Sequence, residues 1–202
     1  MKKRHRILLI RHARIRGNNE NRYIGSNIDE PLSDEGTGQL LSVDTDRLTG
    51  YDRVFSGPMK RCMTTAGYLF PDRNTEIVSG MTEMDFGLYE GKNYEELKDD
   101  PYYLKWIDSG GRLQFPKGED MAGFVLRSME AFRDILTRLA DNENAAIVCH
   151  GGNIMSIMST LTGREYFDFG VGNIEGYVMD LTYDGEMIDV LSYERFGAWM
   201  DT

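Results

Sequence analysis

At 202 residues, with 41% apolar and 28% charged side chains, the chain has the make-up of a single globular domain. A domain of this size buries roughly 70% of its unfolded surface, and the composition excludes a disordered or membrane-embedded polypeptide. A formal net charge of -10 argues against a nucleic-acid partner, because phosphate backbones repel acidic surfaces; an anionic substrate has to be met by a few local arginines.

The chain opens on "MKKRHR" and then "ILLI". Four apolar residues fall short of the roughly 7–15 of a signal-peptide core, and nothing approaches the ~20 of a membrane span, so a cytoplasmic protein without a membrane partner is expected. Residues 6–11 form the first predicted strand, which stops at Arg11 and His12. His5, inside the basic run, reads as a solvated side chain. Ser33 is the expected N-cap of a helix over 34–48, followed by a strand at 53–55, a helix at 58–69 and a strand at 76–79. A helical pattern over 94–108 breaks at Pro101. The clearest helix spans 119–140, where Val125, Met129, Phe132, Leu136 and Leu139 repeat at helical spacing. A strand at 145–149, a helix at 152–162 and strands at 176–181 and 187–192 complete the order, with "YDGE" at 183–186 as a tight turn between the last two.

Strands alternating with helices predict an α/β fold: a three-layer α/β/α sandwich with a mostly parallel sheet and an antiparallel C-terminal hairpin. One domain over 1–202 is expected, with a small helical cap-like insertion at about 86–118. Cys62 and Cys149 offer neither a disulfide framework nor a zinc cluster, and no metal or other cofactor is implied.

In such folds the ligand crevice lies beyond the carboxyl ends of the strands. "ILLIRHA" and "AAIVCHGGN" each end a strand there, the first in Arg11-His12 and the second in His150-Gly151-Gly152. Taken singly, each of these residues reads as an ordinary surface or capping group. Together, two imidazoles, an arginine fork and the N–H groups of a Gly-Gly helix start suit a tetrahedral dianion, so the pattern points to phosphate.

These motifs carry a family resemblance. "LLIRHARIRGNN" resembles the "RHG" signature of the histidine phosphatase superfamily, in its phosphoglycerate mutase-like branch. "RYIGSNIDEPLSDEG", "VFSGPMKRCMTTA", "MTEMDFGLYEGKNYEEL", "FPKGED" and "VCHGGNI" are similar to its later motifs and come in the right order, over residues 7 to about 165. The resemblance implies a phosphoglycerate mutase-like fold, with His12 as the nucleophile and Arg11 and Arg61 as phosphate-binding arginines. It further implies Glu83 as proton donor, Asn18, Ile24 and Gly25 at the substrate, and His150 with Gly151 closing the pocket. The chain departs from the signature at Ala13, which replaces a glycine, and at Ile15, where a threonine or serine is usual; the latter removes a candidate phosphate contact.

The implied function is a metal-independent phosphatase acting on a small phosphorylated metabolite through a phosphohistidine. A mutase needs extra basic residues after the acid motif, and residues 93–111 supply only Lys98 and Lys105. A phospho-ligand-binding pseudoenzyme is the other alternative. The layout looks most like the α-ribazole phosphatase-type members, with sugar phosphates and a broad range of monoesters also open. The aromatics of 86–115 either stack on the substrate or pack two short helices onto the body.

Overall fold

The structure is a computed structural model in which residues 2–197 are described. Met1 and residues 198–202 of the domain expected over 1–202 lie outside the described residues. In chain order the strands are β1 (Lys3–Arg11), β2 (Arg53–Ser56), β3 (Thr75–Ile77), β4 (Ala145–Cys149), β5 (Glu175–Tyr183) and β6 (Ile188–Gly197). The α-helices are α1 (Arg16–Asn19), α2 (Asp34–Leu41), α3 (Lys60–Leu69), α4 (Tyr94–Leu97), α5 (Pro101–Asp108), α6 (Met121–Arg138) and α7 (Gly151–Thr162).

The strands form one sheet in the order β3-β2-β4-β1-β5-β6. β1, β2, β3 and β4 run parallel, β5 is antiparallel to β1, and β5 and β6 make the antiparallel C-terminal hairpin. The run Ile7-Leu8-Leu9-Ile10 is wholly buried because helices cover both faces of its strand. Ile7 and Leu9 join Phe132, Ile135, Ile154 and Ile157 of α6 and α7 on one side. Leu8 and Ile10 join Leu40, Cys62, Ala66 and Leu69 of α2 and α3 on the other. The two-residue period of the strand thus builds both cores of the three-layer α/β/α sandwich. Among the described residues no helix is long and apolar enough to cross a membrane.

Several local expectations are corrected. The helix expected over 34–48 ends at Leu41, where Ser42 Oγ bonds back to the Gln39 carbonyl. The Asp44 carboxylate then starts a separate 3-10 turn at Thr45–Leu48 by accepting from Asp46 N–H, a local bond that competes with helix propagation. β3 ends at Ile77 rather than 79 because its partner β2 is only four residues long. On α6 the buried stripe runs through Phe124, Ser128, Phe132 and Ile135, which rotates Val125 to the edge. His5 is not solvated: it is 1% exposed, with Nδ1 2.8 Å from the Glu143 carbonyl.

Phe132 is fully buried between α6 and the sheet. Phe132→Ala is expected to cost about 3–5 kcal/mol of unfolding free energy, the usual loss for emptying such a site; urea denaturation followed by circular dichroism measures it.

Candidate active site

β1 and β4 pair in parallel with Arg11 opposite Cys149, so the next residue on each chain segment, His12 and His150, leaves the sheet beside the other. His12 N–H donates to the Cys149 carbonyl at 3.0 Å, and the two imidazoles meet edge to face at 5.1 Å between centroids. Both are buried, at 3% and 0% exposed. His12 Nδ1 lies 2.7 Å from the Ala13 carbonyl. A carbonyl can only accept, so Nδ1 carries the proton and Nε2 holds the free lone pair. Burial, reinforced by the nearby Arg61 and Arg11, drives the His12 pKa well below the ordinary imidazole value. The same burial and Arg61 do so for His150, and both rings are neutral at pH 7.

Arg61, in the first turn of α3, is 0% exposed. Its Nη1 donates to the Ile28 carbonyl at 2.9 Å and its Nη2 to the Gly25 and Ile24 carbonyls at 3.1 and 3.4 Å. Its Nε reaches His150 Nδ1 at 3.4 Å. Because a guanidinium only donates, His150 Nδ1 accepts and its proton sits on Nε2, 3.3 Å from Cys62 Sγ. Burial pushes the Cys62 thiol well up, so it stays protonated and inert. Arg11 Nη1 donates to the Val171 carbonyl at 2.8 Å, while its Nε is buried with no partner among the described residues. A buried N–H left unspent on a charged group is costly until an anion meets it.

Glu83 comes just after the 3-10 turn Ser79–Met81. Its Oε1 accepts from Met84 N–H at 2.9 Å and its Oε2 lies 3.8 Å from His150 Nδ1. Burial raises its pKa, with the Met84 N–H and then Arg61, Arg11 and Arg127 opposing in part. Arg127 of α6 holds this loop, donating to the carbonyls of Gly80 and Thr82 at 2.9 and 3.1 Å while pairing with Glu119. Gly152 belongs here for want of room: a Cβ on it would come within 2.7 Å of Glu83 Oε1 and 2.8 Å of the Phe124 ring.

The other predicted residues fall around this centre. Asn18 Oδ1 accepts from Ile15 N–H and from Asn173 Nδ2, both at 3.2 Å. Ile24 and Gly25 meet Arg61 through their carbonyls, and Gly25 can carry no side chain because a Cβ would lie 2.3 Å from the Met84 carbonyl oxygen. Gly151 packs beside the Arg11 side chain. Ala13 keeps an ordinary negative φ and its methyl is buried in the core, while Ile15 is 1% exposed and presents no hydroxyl.

Besides Arg127, three positioning residues were missed from the sequence. Asn173 Nδ2 donates to the His12 carbonyl at 2.8 Å, and Thr65 Oγ1 accepts from Ala13 N–H at 3.0 Å while donating to the Arg61 carbonyl. Asn153 ties the start of α7 to the acid loop through the Thr82 carbonyl and to Ser128 of α6. Thr65, Ser128 and Asn153 are polar residues on otherwise apolar helix faces, which was the available signal. Asn173 stands in a connecting segment with no pattern; the next residue, Ile174, takes a φ of 61°, a strained value for a β-branched side chain, with its N–H on the Arg11 carbonyl.

A cavity of about 380 Å³ opens above this floor, walled in part by Arg11, Glu83, Gly151 and Phe124. Tyr89, Tyr103 and Phe115 are buried in an apolar cluster that seats α4 and α5, and Phe86, Trp106 and Phe115 also face the cavity. The aromatics therefore both pack the segment and line the site. Among the described residues no group of three or more His, Cys, Asp or Glu side chains is placed to hold a metal.

Residues 7–193 match the family model described as histidine phosphatase superfamily, branch 1. The chain belongs to that family. This histidine phosphatase is 27% identical over 177 residues to phosphoserine phosphatase 1 of Hydrogenobacter thermophilus, covering 83% of this chain and 82% of that one. It superposes on a phosphoserine phosphatase mutant from Entamoeba histolytica, solved in complex with phosphoserine, with a TM-score of 0.76 at 25% identity, over 94% of this chain and 96% of that one. The alpha-ribazole phosphatase of Shigella flexneri shares the fold, with a TM-score of 0.76 at 21% identity over 92% and 94% of the two chains.

The depressed histidines make stability depend on pH. Below about pH 6.5 the unfolded chain binds protons that the buried His12 and His150 refuse, so stability is lost as pH falls toward their folded values. Each contributes roughly 1 kcal/mol per pH unit in that window. His12→Asn is expected to show a shallower loss than wild type between pH 6.5 and 5.5 in urea titrations; equal slopes would mean that His12 is not held neutral.

Proposed function

We propose that this histidine phosphatase is a phosphomonoesterase that hydrolyses a small phosphorylated metabolite through a phosphohistidine on His12. The observation that carries this is the His12 tautomer: its Nδ1 proton is spent on the Ala13 carbonyl, so a neutral ring presents Nε2 as a nucleophile amid Arg11, Arg61 and His150. The Nε2 lone pair attacks phosphorus, and the ester P–O bond breaks with its electron pair leaving on the alcohol oxygen. Protonated Glu83 gives that oxygen its proton, a role its raised pKa suits. Water then attacks the phosphohistidine and passes a proton to Glu83, and the N–P bond breaks with its pair returning to Nε2, which releases phosphate.

Arg11 meets the phosphoryl oxygens through its unspent Nε, with Asn18 beside it; Arg61, its fork held by the Ile24, Gly25 and Ile28 carbonyls, adds a fixed positive charge behind the site, and His150 packs edge to face on the nucleophile's ring. Fixed donors in a dry site meet charge as it develops, without reorganisation and without a metal. Gly151, Ile24 and Gly25 complete the binding walls by placing Arg11 and Arg61. Hydrolysis is favoured over phosphate transfer between positions of a bisphosphorylated ligand, since Lys98 already pairs with Glu95 at 2.7 Å. The segment 86–118 acts as the cap of a single domain.

Acid-labile, base-stable label is expected on wild type after rapid quench with a labelled monoester and is expected to vanish in His12→Ala; label retained in the variant would remove His12 from the covalent step. Glu83→Gln keeps the size and loses the proton. Its kcat/KM is expected to fall by about 10²–10⁴-fold on an alkyl phosphate and far less on p-nitrophenyl phosphate, whose phenolate leaves unaided. Equal losses on both would make Glu83 a binding residue. Chelator is expected to leave both rates unchanged, and restoration of a chelated enzyme by a divalent ion would overturn the arginine-based assignment.

A further inference from the structure

The cavity over the floor has two charged groups among its described lining residues, Arg11 and Glu83. On the phosphomonoesterase reading, on which this selectivity rests, both are committed to the phosphoryl group and the leaving oxygen. The rest of the wall is aromatic, methionine or glycine, with Val171. Its tyrosine hydroxyls are already occupied, Tyr23 with Tyr103 at 2.9 Å and Tyr166 on the Gly152 carbonyl at 3.3 Å. A carboxylate or ammonium on the alcohol side of the substrate would be stripped of water here with no opposite charge to meet it; among the described lining side chains the unspent buried donors are Arg11 Nε and the Trp106 indole N–H, and a single neutral N–H does not offset the desolvation of a charge.

The mouth is shaped by two rings. Trp106 of α5 is fixed, stacked on Tyr103 at 5.9 Å with 8° between planes and 4.7 Å from the Phe115 centroid. Phe167, on the 3-10 turn Tyr166–Phe169, is 61% exposed although it borders the same cavity. The two approach across Gly111, where a Cβ would lie 3.2 Å from Trp106 and 3.6 Å from Phe167. An exposed phenylalanine at the rim of an aromatic cavity leaves apolar area for a ligand to cover. At about 380 Å³ the space is near the small end of ligand sites, with room for a compact ring system beside the phosphoryl group.

We propose that the site selects phosphomonoesters whose alcohol carries an uncharged, flat apolar group, seated between Trp106 and Phe167, and discriminates against alcohols bearing a second charge. Phosphoserine, whose serine moiety carries both a carboxylate and an ammonium, belongs to the disfavoured class. Trp106 and Phe167 are the specificity-determining residues.

Three monoesters that all release a primary alkoxide test this without confounding leaving-group reactivity: 2-phenylethyl phosphate, ethyl phosphate and O-phosphoserine. The kcat/KM of the phenylethyl ester is expected to exceed that of ethyl phosphate by about 10–200-fold, the range an apolar pocket gives, and that of phosphoserine by at least as much. Phe167→Ala is expected to pull the phenylethyl-to-ethyl ratio down about tenfold, chiefly through KM, with Phe167→Leu between the two. Since Phe167 is on the surface, this variant keeps the fold; Trp106→Ala, checked for folding by circular dichroism, should narrow the ratio as well. Phosphoserine turned over as well as the phenylethyl ester, or a ratio unmoved by Phe167→Ala, would overturn the selectivity while leaving the phosphatase reading intact. Hydrolysis of none of the three would overturn both.

Discussion

A guanidinium with no solvent contact must find an acceptor for its donors, and the architecture around Arg61 is built on that demand. Arg61 draws the carbonyls of Ile24, Gly25 and Ile28 onto itself, which fixes the path of the loop after α1. Through Nε it sets the tautomer of His150. Its own carbonyl accepts from Thr65, whose hydroxyl in turn takes the N–H of Ala13, next to His12. One buried cation thus links α3, the loop over 24–28 and the ends of both central strands.

The same burial tunes the acid and the bases in opposite senses. Removing water disfavours whichever form is charged, so it lowers the histidines and raises Glu83, and the arginines reinforce the first effect while opposing the second. The outcome is a neutral nucleophile candidate beside a carboxyl that can hold a proton, a division of labour set by environment rather than by residue type. The acid loop is held at its distance by Arg127 and Asn153, so the placement of Glu83 depends on two helices outside the sheet ends.

The segment 86–118 gives a second kind of order. Its helices are short and start on side-chain caps: Asn93 accepts from Glu96 N–H, and Asp100 accepts from Tyr102 and Tyr103 N–H. Helices of four and eight residues are marginal alone, so they depend on the edge-to-face aromatic cluster that seats them. A wall built this way is apolar, with few groups that could meet a charge.

What the sequence by itself determined is everything carried by local pattern. The apolar run at 7–10 demanded a strand covered on both faces, the spacing within 119–140 demanded a long amphipathic helix, and the residues ending β1 and β4 placed Arg11, His12 and His150 at one edge of the sheet. Ser33 was readable as a cap, whereas the early end of α2 was not, because side chains at Ser42 and Asp44 compete locally with a helical pattern that runs on past them. Only the tertiary structure decided the proton positions, the pKa directions, the burial of His5 and the parts played by Asn173, Thr65, Asn153 and Arg127. Those properties arise between residues up to 161 positions apart, as for Asn173 and His12. Desolvation and hydrogen-bond geometry exist only once such distant segments exclude water together, and no periodicity in the chain encodes them.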